Sequence, residues 1–131
     1  MTDAERTARG ILAELQDAVA AKDVDRLSEL FDDEVVLFGT AAANLDRDET
    51  IDYLARVVAQ EEIIRWAWDR VTVLVSTPEL LSFAVVGSVW VEDDLGQPLG
   101  HRTPFRLTCV ALEQRGRWRL RHFHGSVPEA A

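Results

Sequence analysis

From Asp3 to Ala21 the apolar residues Ala4, Ala8, Ile11, Leu12, Leu15, Ala18 and Val19 return at helical spacing. They predict a helix with one buried stripe, and Thr2 or Asp3 can cap its start. The segment "AKDVDRLSELF" breaks that phase. Asp23 then reads as the N-cap of a second, shorter helix with Val24, Leu27, Leu30 and Phe31 turned inward. "DDEVVLFGT" predicts a short strand from Val35 to Phe38, stopped by Gly39. "TAAANLDRDET" reads as a loop, after which Ile51, Leu54, Val57 and Val58 restore helical spacing. Asp46 or Asp48 is the candidate cap of that third helix, and Tyr53 sits one residue off its stripe.

After Glu62 the texture is β. "IIRWAWDRVTVLVST", "LLSFAVVGSVWVEDD", "HRTPFRLTCVALEQ" and "RWRLRHFHGSV" predict four long strands. Short turns join them, around Pro78, around Asp94 to Pro98, and at Arg115-Gly116, a tight-turn pair. Strands in sequence with short connections pair antiparallel. Helices grouped ahead of a meander imply an α+β fold, with the helices laid on one face of a curved sheet.

Composition narrows the classes. A chain of 131 residues is expected to form one domain over 1–131. A net charge of −9 repels phosphate backbones, so nucleic acid is not an expected partner. Cys109 is the one cysteine, which excludes an internal disulfide and a Cys-rich metal site. The N-terminus shows no signal-peptide pattern and no apolar run reaches the length of a membrane span. The expectation is a cytoplasmic protein that neither enters nor coats a membrane.

The segments "AAKDVDRLSELFDDEVVLFGT" (20–40) and "GRWRLRHFHGSVP" (116–128) resemble the nuclear transport factor 2-like superfamily, in particular its SnoaL-like branch. "NLDRDETIDYL" is a weaker match, because relatives often carry a Gly before the third helix and this chain has none there. The resemblance implies a cone: a strongly bent, mixed or antiparallel sheet wrapped around N-terminal helices, as in cystatin-like folds. It also implies a pocket at the open end and homodimers through the outer sheet face. Members include ketosteroid isomerases, polyketide cyclases, dehydratases, ligand binders and assembly domains, so the fold selects no single activity.

Alternate residues of a strand share a face. In the last strand, unless a bulge intervenes, Trp118, Leu120, His122, His124 and Ser126 fall on one side. Arg117, Arg119, Arg121 and Phe123 fall on the other. Trp118 and Leu120 mark the first set as concave, with Phe105 and Leu107 joining it from the neighbouring strand. Alternation leaves the side of Trp66 and Trp68 open, and that of Trp90 too, because both faces of "FAVVGSVWV" are apolar.

Four functions fit this arrangement. One is a binding protein for a small apolar or aromatic molecule, lined by Trp118, Phe105, Leu107, Tyr53, Trp66, Phe38 and Leu120. The second is an acid/base enzyme of isomerase, cyclase or dehydratase type. There His122 would carry the proton, His124 donate or orient, and Asp46 supply the carboxylate. The third is a metal site on His122 and His124 with His101, Asp46 or Glu92 as a third ligand. Nothing in the spacing selects that third ligand, so no metal and no cofactor is expected. The fourth is an interaction domain without a ligand. Binding is the leading expectation, since inward carboxylates are missing from the later strands.

Overall fold

The computed structural model describes residues 1–128. Residues 129–131, whose "EAA" the sequence suggests is a frayed tail, lie outside the described residues.

Helix α1, Asp3–Ala20, starts where the Thr2 hydroxyl accepts from the Glu5 N–H at 3.1 Å. Asp3 and Glu5 add negative charge in the first turn, where the helix dipole favours it. Its stripe of Ala8, Ile11, Leu12, Leu15, Ala18 and Val19 is buried. The helix ends in a Schellman turn: Lys22 N–H donates to Val19 O (3.1 Å) and Asp23 N–H to Ala18 O (3.2 Å), with Lys22 at φ 56°. Asp23 immediately caps α2, Val24–Glu29, by accepting from Arg26 N–H at 3.0 Å. Helix α3, Arg47–Val58, is capped by Asp46, which accepts from Glu49 N–H at 2.9 Å.

The strands are β1 (Phe31–Phe38), β2 (Ala43–Asn44), β3 (Ile63–Ser76), β4 (Leu80–Glu92), β5 (Pro98–Gln114) and β6 (Arg117–Ser126). They form one six-stranded sheet in the order β2-β1-β6-β5-β4-β3. All neighbours run antiparallel except β1 and β6, which are parallel. The result is the expected α+β cone: an open, mixed sheet curved around the helices. Strand β1 begins four residues earlier than the hydrophobic pattern suggested. The short β2 was read as loop, because a two-residue pairing has no periodicity to detect. No helix among the described residues is long and apolar enough to cross a membrane.

The inner sheet face carries Phe83, Val85, Leu107, Cys109, Leu120 and Phe31, which meet the α1 stripe in one buried core. Burial pushes the Cys109 thiol far above its ordinary value, so it packs as a small apolar group and is no nucleophile. Gln16 closes the open edge of β3. Its amide donates to Ile64 O (2.9 Å) and accepts from Trp66 N–H (2.8 Å), standing in for the missing neighbour strand.

The β1–β6 ladder is interrupted. Phe31 pairs with Leu120 and the next pair is Val36 with His122, so β1 bows away over the intervening residues. Carbonyls there and at the end of α2 lack ladder partners, and arginines donate to them. Arg119 donates to Phe31 O (2.6 Å) and Glu29 O (3.1 Å), Arg121 to Glu34 O, and Arg47 to Phe31 O (2.7 Å) and Ser28 O (2.9 Å). Arg119 and Arg121 of β6 therefore hold β1 in place. Asp32 sits among them, buried, accepting from Glu34 N–H (3.0 Å) and Gln114 Nε2 (2.6 Å). Burial pushes its carboxyl up, but those two hydrogen bonds and the Arg121 and Arg119 charges outweigh that. The net effect holds Asp32 below its ordinary value.

Candidate functional site

The wide end of the cone holds a cavity of about 220 Å³ between the sheet and the helices. Leu15 and Val19 of α1 and Tyr53, Leu54 and Val57 of α3 form its helical wall. Phe31 and Leu37 of β1, Ile64 and Trp66 of β3 and Val89 of β4 form much of the sheet wall. Phe105, Phe123 and Gly125 complete it, and exposed Thr40 and Val127 mark the solvent side.

Aromatic rings shape the interior. Trp66 stacks on Trp68 with centroids 5.9 Å apart, and Trp68 meets Phe105 at 6.1 Å. The alternation that left these tryptophans open is resolved by pairing: Trp66 lies opposite Val89 and Trp68 opposite Gly87, on the inner face. Trp90 lies outside, where its Nε1 donates to Glu92 at 2.9 Å and Arg102 sits 3.9 Å over its ring. Two glycines make room for rings. A Cβ on Gly125 would stand 2.5 Å from Phe105 Cζ, and one on Gly39 would stand 2.9 Å from Tyr53 Oη. The buried Nε1 of Trp66 has no hydrogen-bond partner among the described residues.

The histidines are not in this cavity. Along β6 the pairing with β5 passes from Val110–His122 to Ala111–Leu120, so Arg121 is an extra residue without a partner. That bulge reverses the alternation. Leu120, Phe123 and Gly125 face inward, and His122 and His124 face out. There they pair with Val110 and Thr108, outer-face positions of β5, and with Val36 and Phe38 of β1. Phe38 stands edge-on to both imidazoles, at 5.5 and 5.4 Å. His122 Nδ1 lies 2.8 Å from Val36 O, so it donates to that carbonyl and ties β6 to β1. His124 is exposed.

Other expected site residues divide likewise. Asp46 is an exposed helix cap, its carboxylate engaged by Glu49 N–H, and it does not reach the histidines' face as a partner. Phe38 is outside for the reason just given. Leu107 and Leu120 are inward but buried in the core rather than on the cavity wall. Trp118 packs against α1 near Gly10 and Glu14, away from the cavity. Phe105, Tyr53 and Trp66 do line it. Phe123, assigned outward from the alternation, is a wall residue. Among the described residues no group of three His, Cys, Asp or Glu side chains could hold a metal ion. Glu92 in particular is taken up by Trp90 and by Arg65, 3.0 Å away.

A family model for the SnoaL-like domain matches residues 9–130. The chain belongs to the SnoaL-like domain family. Among curated proteins there is no sequence match. Solved structures similar to this SnoaL-like chain include a candidate dehydratase of the nuclear transport factor 2-like family from Streptomyces avermitilis. It has TM-score 0.80 and 18% identity, over 95% of this chain and 97% of that one. A candidate calcium/calmodulin-dependent protein kinase II association domain from Xanthomonas campestris has TM-score 0.80 and 17% identity, over 96% and 89%. A candidate aromatic ring hydroxylase from Novosphingobium aromaticivorans has TM-score 0.77 and 10% identity, over 95% and 88%. At such identities the likeness carries the fold and not the activity.

Proposed function

We propose that this SnoaL-like domain binds a small, mostly apolar organic molecule in the cavity between sheet and helices. The observation that carries the reading is the wall itself: aliphatic and aromatic side chains, with no Asp, Glu, His, Lys or Arg among the lining residues. Ligand cavities are of this kind, mostly apolar with a few polar groups that fix orientation. Proton-transfer chemistry of dehydratase or isomerase type needs a base within hydrogen-bond reach of the reacting atom. His122, His124 and Asp46 do not meet that condition from the outer face and the helix cap, so binding is preferred over catalysis.

A thermal-shift screen of one-ring compounds tests this. A ligand at ten times its Kd adds RT ln 11, about 1.4 kcal/mol, which is roughly 4–5 °C in Tm for a chain of this size. Stabilisation that survives His122→Ala, with no compound consumed, is the expected result. Turnover that is lost in His122→Ala would replace binding by acid/base catalysis.

The outer sheet face favours self-association as a second, compatible role. Val75 and Val86 lie there at 48% and 47% exposure, beside half-buried Val110 and Ala84. A second copy of the chain covering this face would remove that apolar surface from water. Val86→Arg is expected to convert a dimer to a monomer by light scattering; a wild type that is monomeric at high concentration contradicts this role.

A further inference from the structure

The polar side chains of the cavity wall are few: Tyr53, Thr40 and the indole of Trp66. Tyr53 reaches across from α3 so that its hydroxyl lies against Gly39, and Thr40 is the next residue. The remaining wall is hydrocarbon and aromatic rings, except for the indole N–H of Trp66, which is buried with no partner among the described residues. An ion entering this space would lose its hydration with no charge to meet it, which costs several kcal/mol. A neutral oxygen would meet Tyr53 Oη and could also accept or donate at Thr40. The cavity of about 220 Å³ opens to solvent beside Thr40 and Val127, and it has room for a ligand of at least one ring.

We propose that Tyr53 is the specificity-determining residue of this cavity, and that it selects a neutral ring compound carrying an oxygen that accepts from its hydroxyl. The inference rests on the binding reading above and adds the ligand's class to it. Gly39 belongs to the device, because only a residue without a Cβ leaves the Tyr53 hydroxyl where it is.

The test is a matched set of probes measured by calorimetry on the full chain: cyclohexanone, its isostere methylenecyclohexane, and cyclohexanecarboxylate. Wild type is expected to bind the ketone about five- to ten-fold more tightly than the isostere, the net worth of one hydrogen bond, and the carboxylate least. Tyr53→Phe is expected to bring ketone and isostere within about two-fold while leaving the isostere's own affinity unchanged. Gly39→Ala, which crowds the hydroxyl without removing it, is expected to reduce the same preference. If ketone and isostere bind wild type equally, if the preference survives Tyr53→Phe, or if the carboxylate binds best, the assignment to Tyr53 is overturned and binding itself stands. If none of the three binds, the binding reading falls with it.

Discussion

Gly125→Ala separates the two possible faces of β6 by the sign of its effect. Had the strand alternated without interruption, Gly125 would lie on the outer face. Replacing a strand glycine by alanine would then stabilise by roughly 0.5–1 kcal/mol, through the lower entropy of the unfolded chain. With the bulge at Arg121, Gly125 points inward and is buried. The new Cβ would stand 2.5 Å from Phe105 Cζ and 3.3 Å from both Cε atoms. Carbon contacts settle near 3.5–4.0 Å, so the ring must retreat by roughly 1 Å. The cavity it already lines gives it room to do so. The free volume softens the clash, and the cost falls in the range of about 1–3 kcal/mol for overpacking, or roughly 4–10 °C in Tm. Chemical denaturation of wild type, Gly125→Ala, Phe105→Leu and the double variant measures it. Leucine removes the atoms that collide, so the double variant is expected to lose less than the sum of the singles, with a coupling of about 0.5–3 kcal/mol. A Tm that rises in Gly125→Ala, or strict additivity, would refute the inward assignment of Gly125 and with it the bulge.

Two further outcomes follow from the backbone and from Asp32. The β5–β6 turn holds Arg115 at φ 54° and Gly116 at φ 81°, a conformation that suits Asn-Gly. Arg115→Asn is therefore expected to raise stability by about 0.5–1 kcal/mol, read as a higher urea midpoint with an unchanged slope. Because the Asp32 carboxyl is held below its unfolded value, it contributes stability above the ordinary carboxylate range and loses it as pH falls through its folded value. Asp32→Asn puts an amide beside the Gln114 and Glu34 N–H donors. It is expected to cost about 1.5–3 kcal/mol at neutral pH and to flatten the acid limb of the stability curve; an unchanged acid limb would remove Asp32 from that role.

The architecture was legible because its signals are long and redundant. The α1 stripe repeats through Val19, the Asp23 and Asp46 caps sit where the helices start, and Arg115-Gly116 marks a hairpin. The site was harder to read because it depends on single-residue register. One unpaired residue, Arg121, moved both histidines to the other face and brought Phe123 inside. The sequence did contain a trace of this. Leu120 and Phe123 are both apolar and three apart, which no regular strand can place on one face. Likewise Trp68 and Val71 both face inward only because the pairing shifts at Asp69. Asp46 looked like a catalytic carboxylate for the reason it is a good cap: a short acidic side chain just ahead of a helix.

The proposed ligand site is the cavity between α1, α3 and the sheet. Methyl-resolved NMR during titration with cyclohexanone tests it most directly. Saturable shifts are expected to concentrate on Leu15, Val19, Leu37, Leu54, Val57 and Val89, which line the cavity, while Val36 and Val110 beside the histidines stay still. Shifts centred on Val36, Val110 and the His122–His124 face would contradict it and move the site to the outside of the sheet.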